Sequence, residues 1–206
     1  MLVRMTSRLR FIAVLALCAV SLAAAWPAFA EIAPRPPSTP EQDKPPRAAV
    51  LDALFADLAR SRTAEEGNAI QRLIQKVWLE SGSPSIDLLM SHGLDAFDDK
   101  DYDRALFYFN EVVVLDPGYA EGWHKRATVL YLKNDFSRAL ADLEHVLRIE
   151  PRQYMAMGGL ALMLEELGDK KGALEVFRRA LSVNPWFDGA AQSEKSLSLD
   201  VEGRGI

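Results

Sequence analysis

Three histidines, one cysteine and a run of alternating aspartates are the residues of this 206-residue chain best suited to chemistry. His92, His124 and His145 have no second histidine or cysteine at metal-ligand spacing. Asp99, Asp101 and Asp103 alternate as in the opening of a calcium loop, which requires Gly at its sixth place and Glu at its twelfth. Those places hold Arg104 and Asn110. The segment reads instead as a turn whose acids favour the N-terminus of the next helix. The wider acidic cluster, Asp95 to Asp103, reads as solvated surface or as an acidic docking patch. No glycine-rich phosphate loop follows a strand. Gly158-Gly159 falls inside a predicted helix, where each glycine costs roughly 1 kcal/mol against alanine. The pair either permits close helix contact or leaves room for a ligand backbone. No catalytic set, metal site or cofactor is implied, and the chain reads as a non-enzyme.

The elements that carry these residues start with a leader. Arg4, Arg8 and Arg10 precede an apolar run from Phe11 to Ala25, and Ala28-Phe29-Ala30 offers small residues at a peptidase site. This is the three-part pattern of a secretory signal peptide, residues 1–30, cut before Glu31. The run is shorter than the roughly 20 residues a spanning helix needs. Cys18 lies within it, after Leu17, which is not the small residue a lipid-modification site requires, so the mature chain carries no thiol. The general secretory route and the bacterial periplasm are expected. An uncleaved leader acting as a membrane anchor is the alternative. The formal charge is −5, or −8 once the three leader arginines are removed. That balance argues against a nucleic-acid partner. Residues 31–47 hold six prolines and form a proline-rich linker, an extended spacer.

Beyond the linker the periodicity is helical. Leu51, Leu54, Phe55 and Leu58 form one apolar stripe; Ile70, Leu73, Ile74, Val77 and Trp78 form another. Thr63 and Glu66 between them fit a capping box. Residues 48–84 are therefore an N-terminal helical hairpin. From there the sequence repeats every 34 residues: Pro117, Pro151 and Pro185; Ala105, Ala139 and Ala173; Gly93, Ala127 and Ala161; Asp101, Asp135 and Asp169. Large residues Phe109, Leu143 and Phe177 follow one turn after the alanines. A 34-residue period of paired helices with these small, large and proline positions resembles the tetratricopeptide repeat (TPR). His92 and Arg126 stand where the family has leucine, and Ala96, Leu130 and Leu164 stand where it has tyrosine.

The resemblance implies an all-α fold, an α-solenoid of stacked antiparallel helical hairpins. Its units would be residues 85–119, 120–153 and 154–187. The hairpin at 48–84 is then a degenerate repeat or cap, and residues 188–206 are a capping helix and tail. In the family the first helix of each pair lines a concave groove that binds peptides. Carried over by position, the candidate groove residues are Met90, Leu94 and Phe97; His124, Thr128 and Tyr131; and Met155 and Leu162. Phe97 and Tyr131, one period apart, are expected to be neighbours. His92 falls in a helix-packing slot as a core or edge residue, and His145 is expected in solvent. The flanking elements leave this groove open or cover much of it. The basic clamp of chaperone-binding members has its places at Met90, Leu94, Lys125, Met155 and Gly159, so an apolar or mildly basic segment suits the groove better than an acidic tail. The implied function is a non-catalytic scaffold or assembly factor of the cell envelope that binds a protein or peptide partner. The alternative is a membrane-anchored subunit of a larger complex. The layout is similar to small periplasmic TPR proteins of alphaproteobacteria. Three repeats plus caps are near the minimum for stability, so self-association is compatible with the sequence.

Overall fold

The computed structural model describes residues 46–203; the leader, most of the linker and the last three residues lie outside them. Among the described residues there are nine helices and no strand. They are α1 (Arg47–Arg60), α2 (Ala64–Leu79), α3 (Pro84–Asp98), α4 (Tyr102–Leu115), α5 (Ala120–Leu132), α6 (Phe136–Ile149), α7 (Tyr154–Glu166), α8 (Lys170–Val183) and α9 (Asp188–Val201). None is long and apolar enough to cross a membrane. The chain is an all-α stack in which α3/α4, α5/α6 and α7/α8 form three antiparallel pairs.

Local signals set each pair. Asp101, Asp135 and Asp169 cap α4, α6 and α8 by accepting the backbone N–H of Arg104, Arg138 and Gly172 at 3.1, 3.3 and 2.9 Å. Of the calcium-like aspartates, Asp99 closes α3 as its C-cap, Asp101 caps α4, and Asp103 lies in the first turn of α4. The residue before each cap pair turns the chain: Lys100, Asn134 and Gly168, again 34 apart, have φ of 60°, 60° and 87°. At the other end α4, α6 and α8 stop at a cap residue directly before Pro117, Pro151 and Pro185. Thr63 caps α2, and the Glu66 side chain returns a bond to the N–H of Arg62 rather than to Thr63 itself.

Size complementarity packs each pair. Ala105, Ala139 and Ala173 are fully buried, as are Ala127 and Ala161. At Gly93 a Cβ would sit 2.4 Å from the ring of Phe109, so only glycine admits that plug. Between units, a Cβ on Gly122 would sit 2.5 Å from Val112, which brings α5 tightly onto α4. Arg126 explains its own departure from leucine. Its guanidinium makes two 2.7 Å bonds to the buried carboxylate of Asp142 and a 3.1 Å bond to Asn110, and lies over the Trp123 ring. One side chain thus ties α5 to α6 and to the preceding unit. The equivalent His92 has no preceding unit to meet; it is exposed and stacks on Tyr108 at 5.3 Å. His145 is half-buried against Trp123, with ring centroids 4.1 Å apart, rather than free in solvent.

The first unit presents a different end from the others. Where α5 and α7 place Gly122 and Ala156 against the helix before them, α3 has Leu88, 58 % exposed. Where they place buried Val129 and Met163, α3 has exposed Asp95. A charged residue in an interface register makes this end a solvated terminus. The hairpin α1–α2 accordingly joins its apolar side chains elsewhere. Leu51, Leu58, Ile74 and Trp78 share one buried cluster with Tyr154, Met157, Phe177 and Leu197 of the third unit and α9.

It docks along the turns that link successive units. The Tyr119 hydroxyl donates to the Leu79 carbonyl at 2.7 Å, and Arg47 donates to the Trp78 carbonyl at 3.1 Å. Arg152 bonds Asp52 at 2.7 Å and lies over the Phe55 ring. Trp186, 34 residues on from Arg152, donates to Ser61 at 2.6 Å, accepts from Gln71 at 3.1 Å, and occupies the space a Cβ on Gly67 would need.

Candidate functional site

A groove of about 640 Å³ opens between α5, α7 and α9. Its floor is α7, which contributes Met155, Gly158, Gly159, Leu162 and Met163. The plugs Leu143 and Phe177 close it from below. One wall is α5, with His124, Thr128 and Tyr131; the facing wall is Phe187 and the first turns of α9, with Gly189, Ala190, Gln192 and Ser193. Leu162 projects into this space 45 % exposed. The α9 helix begins one 34-residue step after α7, so it stands where the first helix of a further unit would stand. It therefore walls the groove as well as covering the third unit.

The α5 wall carries charge in a neutralised form. Glu121, in the first turn of α5, is almost wholly buried. Its carboxylate faces His124 Nδ1 at 3.3 Å, Lys125 Nζ at 3.1 Å and the Gln153 side-chain amide at 2.8 Å. Burial alone would push its pKa up; the charges of His124 and then Lys125, with their hydrogen bonds, outweigh that and hold it below the usual carboxylate range. Because an ionised carboxylate only accepts, His124 must present Nδ1–H to it, leaving Nε2 on the groove side. Thr128 donates to the His124 carbonyl at 3.0 Å, and the Tyr131 hydroxyl to Glu166 at 2.5 Å. The polar side chains of this wall are thus engaged by their own neighbours.

Five of the eight sequence-derived groove residues line the space: His124, Thr128, Tyr131, Met155 and Leu162. Met90 does not. It is 2 % exposed and belongs to the buried cluster of the first unit with Ile86 and Ala96, its flexible thioether absorbed by that core. Leu94 and Phe97 are half-buried against the same cluster, outside the groove. Phe97 packs on Tyr102 at 5.9 Å and Tyr131 on Phe136 at 5.7 Å, so each aromatic pairs within its own unit.

Position within the three units does not place α9 in the groove; its start one 34-residue step after α7 is the sequence signal for that wall. The glycine pair divides between its two readings. A Cβ on Gly158 would lie 2.9 Å from the Phe187 ring, whereas one on Gly159 would meet only Leu143 at 3.7 Å. Gly158 serves close contact; Gly159 lies on open floor. Among the described residues no three His, Cys, Asp or Glu side chains converge as a metal site.

A tetratricopeptide-repeat family model matches residues 124–189. A TPR repeat-containing protein of Rhizobium etli is 35% identical over 147 residues, which is 71% of this chain and 72% of that protein. Among solved structures, the TPR domain of Arabidopsis OM64 superimposes with a TM-score of 0.53 at 25% identity, covering 55% of this chain and 93% of that one. The first TPR of Spaghetti (RPAP3), bound to the HSP90 peptide SRMEEVD, gives 0.54 at 18% identity over 57% of this chain and 93% of that one.

Proposed function

Because this chain belongs to the tetratricopeptide-repeat family, we propose that it is a non-catalytic interaction scaffold that holds a protein segment in the groove between α5, α7 and α9. The observation that carries the reading is the groove itself: an apolar floor, open to solvent, on the face made by first helices of successive units. Its volume lies within the few hundred to a thousand Å³ typical of ligand sites. The structural neighbour RPAP3 holds a peptide, which shows the shared fold in use for that purpose elsewhere. The acidic end of that peptide finds little counterpart here, since the lone lysine at the matching places, Lys125, is already paired with Glu121.

In the same reading the chain is exported and acts in the bacterial cell envelope as a scaffold or assembly factor. The leader pattern supports this. The alternative, a membrane-anchored subunit of a larger complex, keeps the leader; N-terminal sequencing of the protein from cells separates them, since a start at Glu31 excludes an anchor. The groove is tested by affinity capture from envelope extract with wild type and with a Tyr131→Ala, Leu162→Gln variant. Both side chains are partly exposed, so the variant should fold normally. A variant that retains every partner at wild-type yield overturns the groove reading.

A further inference from the structure

We propose that the segment held in this groove is an amphipathic helix with a basic polar face, not an extended strand; the inference rests on the groove reading above. Its ground is the shortage of free hydrogen-bonding groups. An extended segment of five residues carries about ten backbone donors and acceptors, roughly half of them turned toward the surface that binds it. Each one buried without a partner opposes binding. The α7 floor offers only methionine, glycine and leucine side chains, over a backbone bonded within the helix. On the α5 wall Thr128 is bonded to the His124 carbonyl, Tyr131 to Glu166, and Lys125 and His124 to Glu121. What is left is Nε2 of His124 on one wall and Gln192 and Ser193 on the other; none of them lies on the floor along which an extended backbone would run.

A helix brings its backbone already satisfied and needs only apolar residues at i, i+3 or i+4, and i+7. An apolar space of about 640 Å³ suits several such side chains rather than one. Charge selects the helix's outer face. Glu166, bonded to Tyr131, and its neighbour Glu165 follow Leu162 on α7, and Asp188 precedes Gly189 on α9, so these acids flank the apolar lining without being part of it; the lining cation Lys125 is paired with Glu121. Lysine or arginine flanking the apolar stripe complements them.

The test uses three fluorescent 16-residue peptides and the protein as purified from cells. One is a leucine-striped helix with lysines on its polar face. The second has glutamates in place of the lysines. The third keeps the leucines and lysines but has two central prolines. Anisotropy titrations are run on wild type and on Leu162→Gln, a neutral change at an exposed position. The proposal expects the lysine helix to bind at least tenfold tighter than both other peptides, to gain helical circular dichroism on mixing, and to weaken at least tenfold against Leu162→Gln. If the proline peptide binds as tightly and is equally weakened by Leu162→Gln, the helix inference falls while the groove reading stands. If binding is indifferent to Leu162→Gln, or no peptide binds, both fall.

Discussion

Adjacent glycines on α7 allow one substitution to be read against another. Alanine in place of glycine in a helix interior gains roughly 1 kcal/mol from propensity alone. At Gly159 nothing opposes that gain: the new methyl meets Leu143 at 3.7 Å, an ordinary contact. Gly159→Ala should therefore raise stability by about 1 kcal/mol, or about 2–4 °C in Tm for a domain of this size. At Gly158 the methyl would lie 2.9 and 3.0 Å from two atoms of the Phe187 ring. That ring cannot simply retreat, since it packs on the buried Tyr154 with centroids 5.3 Å apart. Overpacking of this kind costs about 1–3 kcal/mol. The net effect of Gly158→Ala is then between no change and a loss of about 2 kcal/mol. Urea and thermal unfolding of the two variants, followed by far-UV circular dichroism, give the comparison directly. If Gly158→Ala stabilises as much as Gly159→Ala, Phe187 does not stand where described, and the α9 wall of the groove is misplaced.

Other perturbations probe separate contacts. Arg126→Ala leaves the Asp142 carboxylate buried and unpaired, and should cost about 3–5 kcal/mol in denaturant unfolding; Arg126→Leu combined with Asp142→Leu should recover most of it. Glu121 has a folded pKa below its unfolded value, so its contribution is present above the unfolded pKa and is lost as pH falls through the folded one. Wild type should therefore lose stability on acidification below about pH 4.5 more steeply than Glu121→Gln, as measured by urea unfolding across pH 3 to 7. Lys100 holds a left-handed backbone at φ 60° that costs a side-chain-bearing residue about 1–2 kcal/mol. Lys100→Gly should relieve it and, after the added entropy of the unfolded chain, gain about 0.5–1 kcal/mol in thermal unfolding.

The parts of this molecule that were legible in the sequence are those governed by local rules repeated three times. Asp101, Asp135 and Asp169 cap, the prolines stop, and small residues face large ones. Each such effect depends on neighbours within one unit, so its spacing survives in the chain as a period. The hairpin was legible as two helices but not in its seat. Its partners Arg152 and Trp186 lie 100 or more residues away, and its own sequence lacks most of the 34-residue markers. The groove was half legible for a related reason. Position within a unit identifies the face of a helix, which sufficed for Thr128, Tyr131 and Leu162. It cannot reveal that Met90 is absorbed by the core, or that Phe187 and Ala190 supply the far wall, because both depend on what packs from outside the unit.

The seat of the hairpin changes what kind of object the stack is. In a linear array each unit touches only its neighbours, and an end can open while the rest stays folded. Here Asp52 meets Arg152 and Ser61 meets Trp186, contacts that span 100 and 125 residues. The third unit and α9 cannot loosen without releasing α1 and α2, and the hairpin cannot leave without uncovering Tyr154 and Trp186. Strand-like fraying from the C-terminus is thereby replaced by a single cooperative opening. The same long-range closure makes folding wait on the meeting of distant segments, so this chain should form more slowly than a row of repeats whose contacts are all local.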